Sequence, residues 1–301
     1  MTSNLYLVWL EWPEKCFRAD AEALRYLKSA VPKGGRVIRA RSEAAFLRAL
    51  PKATHAIVWN FKTEWFAKAP QLKVLATPAA GQELVPTKGP KGVKIHFGHF
   101  HGGIMAESVA AFVLAWARGF FRPELKKGAW PRAALSDKLY DVAGSKAVIA
   151  GYGNVGRAIG AKLSALGVEV CGVTRKNAKI LPELAQDADW FILALPSTTG
   201  TDNFLSAALM RKLPRKCVVI NVGRGNAIDE KALYAALKEH RLAGAYLDVR
   251  KHEPSGTVPE FGANVRGLDA LWSCVITPHA SAFSPRYVKL CFKELKDDGC
   301  L

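Results

Sequence analysis

The stretch AVIAGYGNVGRAIGAKLSALGVEVCGVT, residues 147–174, restricts the fold more than any other part of the chain. An apolar run ends at Gly151-Tyr152-Gly153-Asn154-Val155-Gly156, a segment of helical length follows, and a second apolar run closes it. In such a strand, turn and helix the first glycine makes the tight turn and the second lets the backbone approach a pyrophosphate. The third allows the helix to pack closely on the strand. The helix amino terminus adds unpaired amides and the positive end of its dipole. The spacing therefore predicts a dinucleotide-binding unit with Gly151, Tyr152, Gly153, Asn154, Val155 and Gly156 against the cofactor.

The second apolar run ends in Thr174-Arg175-Lys176-Asn177. An NAD site usually has an acid there to accept the ribose hydroxyls, whereas a 2′-phosphate needs a cation. Two cations and no acid point to Thr174, Arg175 and Lys176 as cofactor residues and to NADP over NAD, with NAD still open.

Around this unit short apolar runs alternate with helical stretches. LYLVWL, GGRVIRA, HAIVWN, LKVLAT and VKIHF come before it, and ADWFILALP, KCVVINVG, LAGAYLDV and CVITPH after. Between the two series stand the apolar helix MAESVAAFVLAWARGFF and a polar arm, RPELKKGAWPR. The alternation predicts two α/β domains, each a parallel sheet with covering helices, and 301 residues can form both. No run of roughly 18 apolar residues suits a membrane span, and the amino terminus carries no secretion pattern. The six cysteines form no CxxC pair, as expected of reduced thiols in a cytoplasmic protein. A net charge of +17, from 43 basic and 26 acidic side chains, attracts anions. The basic residues are dispersed, which favours small anionic ligands over nucleic acid.

Three more stretches fall at strand ends, where open α/β sheets place their ligands: INVGRGNAIDEKAL, AYLDVRKHEP and VITPHASA. With GYGNVG, ALPSTTGTDNFLS and the long helix with its arm, they resemble the D-isomer-specific 2-hydroxyacid dehydrogenase family, in unbroken motif order from about residue 70 to about residue 290. The resemblance implies two Rossmann-like doubly wound parallel-sheet domains. A nucleotide-binding domain (101–283) would be inserted in a smaller flavodoxin-like substrate domain (1–100 plus 284–301).

The resemblance also implies a catalytic set of Arg224, Glu253 and His279. A guanidinium can grip a substrate carboxylate and polarise a 2-keto oxygen, and an imidazolium can donate the proton that the developing alkoxide needs. Glu253 would orient that ring and favour its charged form. Asp248 would hold the nicotinamide carboxamide, and Leu195, Pro196, Thr201, Val222 and Gly223 would lie along the cofactor. Backbone amides at Ala80 and Gly81 would join Arg224 and His279 on the substrate. The implied activity is reduction of a small 2-keto acid, similar to glyoxylate and hydroxypyruvate reductases, giving a D-hydroxy acid. The implied state is a homodimer covering Phe112, Trp116 and Phe120. The rivals are an NAD-linked dehydrogenase and a dinucleotide-sensing binding or co-repressor protein on the same fold.

PAAGQELVP and the longer SGTVPEFGANVRGLDA depart from the family wording and bear on the substrate, for which Trp59, Asn60, Lys62, His99 and Trp272 are candidate lining residues. With the chain ending at KDDGCL, no C-terminal regulatory domain is expected. IHFGHFHGG places His96, His99 and His101 within six residues. Residues 99 and 101 share one side of an extended strand, a spacing open to zinc. No Cys, Asp or Glu follows until Glu107, however, and the chemistry needs no metal. The stretch therefore reads as an interdomain hinge without a metal, with His99 or His101 facing the cleft.

Overall fold

The computed structural model describes residues 4–125, 128–253 and 267–301. The chain forms two compact units, one of Met1–His101 with Phe283–Leu301 and one of Gly102–Ala282.

The first unit is built from β1 (Leu5–Trp9), α1 (Ala21–Ala30), β2 (Arg36–Arg39), α2 (Glu43–Ala49), β3 (His55–Val58), β4 (Val74–Thr77) and β5 (Lys94–Phe97). Asp20 and Ser42 cap α1 and α2 by accepting from backbone amides three residues on, which satisfies donors that a helix start leaves unpaired. The strands form a parallel sheet in the order β2-β1-β3-β4-β5. Strands β3 and β4 are buried at every position, as a sheet covered on both faces requires.

The second unit opens with α3 (Gly102–Ala117) and α4 (Arg132–Leu135). It continues with β6 (Lys146–Ala150), α5 (Asn154–Ser164), β7 (Glu169–Val173), α6 (Leu181–Leu184), β8 (Trp190–Leu193) and α7 (Ala207–Met210). It closes with β9 (Val218–Asn221), α8 (Glu230–Lys238), β10 (Gly244–Leu247) and β11 (Cys274–Ile276). The sheet order is β11-β10-β9-β8-β6-β7, again parallel. Alternate residues along each strand feed two separate cores. Val148, Phe191, Val219 and Ala245 join the side chains of α6, α7 and α8, while Ile149, Ile192, Ile220 and Tyr246 join α3 and α5. That alternation makes the sheet doubly wound.

Two residues expected at a subunit interface belong to the second of these cores. Phe112 stacks on Tyr246 with ring centroids 4.8 Å apart, and Trp116 is buried against Gly244, where a Cβ would overlap its ring. Because α3 is apolar nearly all round, its inner face is consumed by its own sheet. Leu114 and Phe120 remain exposed.

The chain then returns to the first unit as α9 (Tyr287–Asp297), whose buried Tyr287, Val288, Cys291, Phe292 and Leu295 form a stripe at helical spacing. Among the described residues no helix is long and apolar enough to cross a membrane.

Candidate active site

The loops that leave the carboxyl ends of β6, β8, β9, β10 and β11 lie at one end of the second unit's sheet, on either side of the point where strand order reverses between β6 and β8. Gly151 has φ +94°, which an L side chain rarely adopts, and a Cβ there would meet the Ala194 carbonyl at 2.5 Å. A Cβ on Gly156 would meet the Gly151 carbonyl at 2.3 Å, so helix and turn are in contact. Gly153 differs from both, since its Cβ would meet nothing within 4 Å. The first and third glycines serve internal packing, and the second leaves an open approach to the amino end of the 11-residue α5. These features fit a bound pyrophosphate.

Val155 is half-buried against the core, and Asn154 faces out. The Tyr152 side chain lies over Gly160 and Gly172, where added Cβ atoms would meet its ring at 3.0 and 2.3 Å. Its backbone can line the cofactor turn, but its side chain packs α5 against β7. Sequence reasoning missed Arg157, whose guanidinium donates to Asn154 Oδ1 at 2.7 Å and to the Tyr152 carbonyl at 3.4 Å. The signal was available, because a cation directly follows the third glycine.

After β7, the Asn177 carboxamide oxygen accepts from the Thr174 amide and hydroxyl at 2.6 and 3.0 Å and closes a turn. Arg175 and Lys176 project from it, both exposed. After β8, Thr201 folds back to donate to the Pro196 carbonyl at 2.8 Å, and Leu195 packs against the Gly223 backbone. Val222 is buried, so its side chain belongs to the core and only its backbone faces the loops.

The three residues of the implied catalytic set come together in the second unit. Asn221, fully buried, accepts from the Gly223 amide at 3.1 Å and donates to the Arg224 carbonyl at 3.0 Å, bracing the turn that presents Arg224. Arg250 pairs with Glu230 at 3.1 Å, and Glu230 also accepts from the Lys251 amide at 2.9 Å. This pair holds the segment leading to Glu253. His279 has φ +53°, a left-handed conformation uncommon for a residue with a side chain. Its amide donates to the Asp248 carbonyl at 2.9 Å. The buried Asp248 carboxylate accepts from the Thr277 hydroxyl at 2.5 Å, the Ala280 amide at 2.8 Å and the Ser281 amide at 3.1 Å. The structure thus gives Asp248 a bracing role that sequence reasoning did not anticipate.

His279 Nδ1 lies 2.9 Å from Glu253 Oε2. A carboxylate only accepts, so Nδ1 is the donor and Nε2 faces outward with the ring's second proton when it is charged. The hydrogen bond and charge of Glu253, aided by Asp248, raise the His279 pKa above 6.5 against burial and the repulsion of Arg224. For Glu253 burial acts upward, yet His279, the Arg250 amide and Arg224 together bring the carboxyl below its ordinary range. The Arg224 charge also acts on both groups, lowering each pKa.

Other expected residues lie elsewhere. Ala80 and Gly81 belong to the first unit, on the loop after β4, Ala80 exposed and Gly81 half-buried. Trp272 stacks on Trp116 at 6.0 Å with the Arg122 guanidinium over it, and the Trp59 indole donates to the Phe17 carbonyl. Pro254 and most of SGTVPEFGANVRGLDA lie outside the described residues. The histidines of IHFGHFHGG make contacts within the first unit, where His101 is buried and the His99 side chain is half exposed. His101 Nε2 is 2.7 Å from the Tyr287 hydroxyl, and His96 and His99 meet Glu294 of α9.

Such a fold and such a set define a nicotinamide-dinucleotide-dependent oxidoreductase acting on 2-hydroxy and 2-keto acids. A family model described as "D-isomer specific 2-hydroxyacid dehydrogenase, NAD binding domain" matches residues 110–281, and the chain belongs to that family. It is 27% identical over 249 residues to a glycerate dehydrogenase of Methylorubrum extorquens, covering 79% of this chain and 78% of that one. It is 28% identical over 243 residues to a glyoxylate reductase of Korarchaeum cryptofilum, covering 73% and 70%. A D-isomer specific 2-hydroxyacid dehydrogenase of Xanthobacter autotrophicus, solved with NADPH and MES, superposes with TM-score 0.75 at 25% identity over 97% of this chain and 96% of that one.

Proposed function

We propose that this dehydrogenase works as an NADP-preferring reductase of a small 2-keto acid of the glyoxylate or hydroxypyruvate kind, forming the D-hydroxy acid. The observation that carries this reading is the His279–Glu253 pair beside Arg224, with His279 held toward its charged form. A reduced nicotinamide dinucleotide, when bound along the Gly151–Gly156 turn, supplies the hydride. Arg224 grips the substrate carboxylate and draws electron density toward the keto oxygen. His279 donates the Nε2 proton to the alkoxide as it forms, and Glu253 steadies the ring through that loss of charge. Arg175 and Lys176 support NADP, since the turn after β7 presents two cations and no carboxylate of its own.

The relatives named as glyoxylate reductase and glycerate dehydrogenase support the same substrate class. The test is oxidation of NADPH and NADH against glyoxylate, hydroxypyruvate, pyruvate, phenylpyruvate and 2-ketoisocaproate. Turnover should favour NADPH and a small acid, and should fall by roughly 10²- to 10⁴-fold in Arg224→Ala and His279→Ala. Unchanged rates in both variants refute the assignment. We also propose a cytoplasmic homodimer, supported by the exposed Leu114 and Phe120 on and just after α3; sedimentation velocity of the purified chain tests the dimer.

A further inference from the structure

The histidine-rich stretch that sequence reasoning left without a ligand set acquires one in the fold. His96 is the next-to-last residue of β5, His99 lies two residues past that strand, and Glu294, in the last turn of α9, sits one helical turn before Asp298, the residue that caps it. All belong to the first unit. Each offers one ligand atom, and the four atoms lie within 4.8 Å of one another. We propose that His96, His99, Glu294 and Asp298 form a zinc-type divalent cation site that clasps α9 to the edge strand β5.

The spacing suits one ion. Bonds of 2.0–2.1 Å in a tetrahedron put ligand atoms roughly 3.4 Å apart. His99 Nε2 is 3.4 Å from Glu294 Oε2 and 3.5 Å from Asp298 Oδ2, and His96 Nε2 is 2.9 Å from Glu294 Oε1. The donors are two imidazoles and two carboxylates. That mixture suits zinc and neighbouring first-row ions, whereas magnesium and calcium prefer oxygen alone.

The surroundings are those of a held ligand set. Both oxygens of the buried Glu294 carboxylate accept from the His99 amide at 3.1 Å, which fixes the carboxylate. The other nitrogen of His96, Nδ1, lies 3.8 Å from both Asp298 Oδ2 and Cys300 Sγ, so each side of the ring meets a polar partner. With neutral rings the four side chains carry two negative charges, matching a divalent cation. The nearby Lys94 ammonium binds the Asp298 backbone carbonyl at 3.0 Å.

Carboxylate and imidazole also satisfy one another as ion pairs, so the test separates an ion from protons. The full chain, stripped with chelator and desalted, is titrated with Zn²⁺ calorimetrically and with Co²⁺ by visible absorption. His99→Ala and Asp298→Ala are the variants, because both side chains are partly exposed and neither truncation opens a buried cavity. One equivalent should bind, cobalt should give the intense bands of a four-coordinate site, and each variant should weaken binding by at least roughly tenfold. Zinc should also raise the thermal unfolding midpoint of the wild type and not of the variants. Binding absent from the wild type, or indifferent to both variants, overturns the proposal. Binding lost only in His279→Ala assigns the ion to the Glu253–His279 pair and overturns it equally.

Discussion

The relative placement of the proposed catalytic residues depends on Gly225. A Cβ built there would stand 1.9 Å from the Arg250 carbonyl carbon, 2.0 Å from its oxygen and 2.3 Å from the Lys251 nitrogen. Carbon contacts need about 3.5 Å, so Gly225→Ala must separate these backbone segments by roughly 1.5 Å. If the loop after β9 yields, Arg224 moves with it. If the loop after β10 yields, Glu253 moves and takes the His279 ring along. Misplacing reacting groups by about 1 Å can cost 10²-fold in rate. We therefore expect kcat/KM to fall by at least about 10²-fold, near 2.7 kcal/mol of transition-state stabilisation. Overpacking should also cost about 1–3 kcal/mol of stability. The assay is steady-state reduction of the preferred keto acid at saturating NADPH, with the fold checked by circular dichroism and NADPH affinity by fluorescence. A folded Gly225→Ala enzyme within threefold of wild type in kcat/KM would refute the placement.

Gly153→Ala should leave the unfolding midpoint of the dinucleotide-free protein nearly unchanged, because its Cβ meets nothing, yet weaken NADPH binding by roughly tenfold or more by blocking the phosphate approach. Equal NADPH affinities measured by fluorescence titration would show that the cofactor turn has been misread. Glu253 raises the His279 pKa, and keto-acid reduction needs the charged ring, so the rate should fall as pH rises through a value above 6.5. Glu253→Gln removes the accepting charge and should move that fall to lower pH; a pH–rate profile shifted upward, or not at all, contradicts the assigned role. Arg175→Ala should raise KM for NADPH by about 10- to 100-fold, the worth of one charged hydrogen bond, and leave NADH kinetics alone. Parallel changes for both nucleotides would mean that Arg175 does not read the 2′-phosphate.

Much of the fold was legible because its causes are local. Continuous apolar runs such as WFIL and VVIN become strands buried on both faces, and a glycine that must adopt positive φ declares itself at Gly151. Partnerships between distant segments were not legible. His96 and Glu294 are 198 residues apart in sequence, so a count of ligands near the histidines could not include α9. The same limit applied to aromatic residues. Phe112 and Trp116 read as interface residues in preference to core, and the sheet they cover takes both into the core of the second unit. Tyr152 sits inside the glycine motif, but its ring occupies the space that Gly160 and Gly172 leave between α5 and β7.

The site residues share a construction that explains why strand ends carry them. A loop leaving the sheet loses its ladder partners, and its amides need other acceptors before they can be buried. Here a polar residue at the end of an otherwise apolar strand supplies them. Asn221 serves the Gly223–Arg224 turn, and Asp248 serves Ala280 and Ser281, so that the left-handed His279 between Thr277 and Ala280 is held from both sides. Each brace is buried, whereas His279 and Glu253 remain half open to solvent. Substituting a brace therefore strands donors inside the protein, at about 1–3 kcal/mol for each. Substituting His279 should remove the proposed proton donor at little structural cost. Asn221→Leu and His279→Ala should consequently separate in one experiment: the first lowers the unfolding midpoint and activity together, the second activity alone. A His279→Ala protein that lost as much stability as Asn221→Leu would mean that His279 braces the loop instead of acting on substrate.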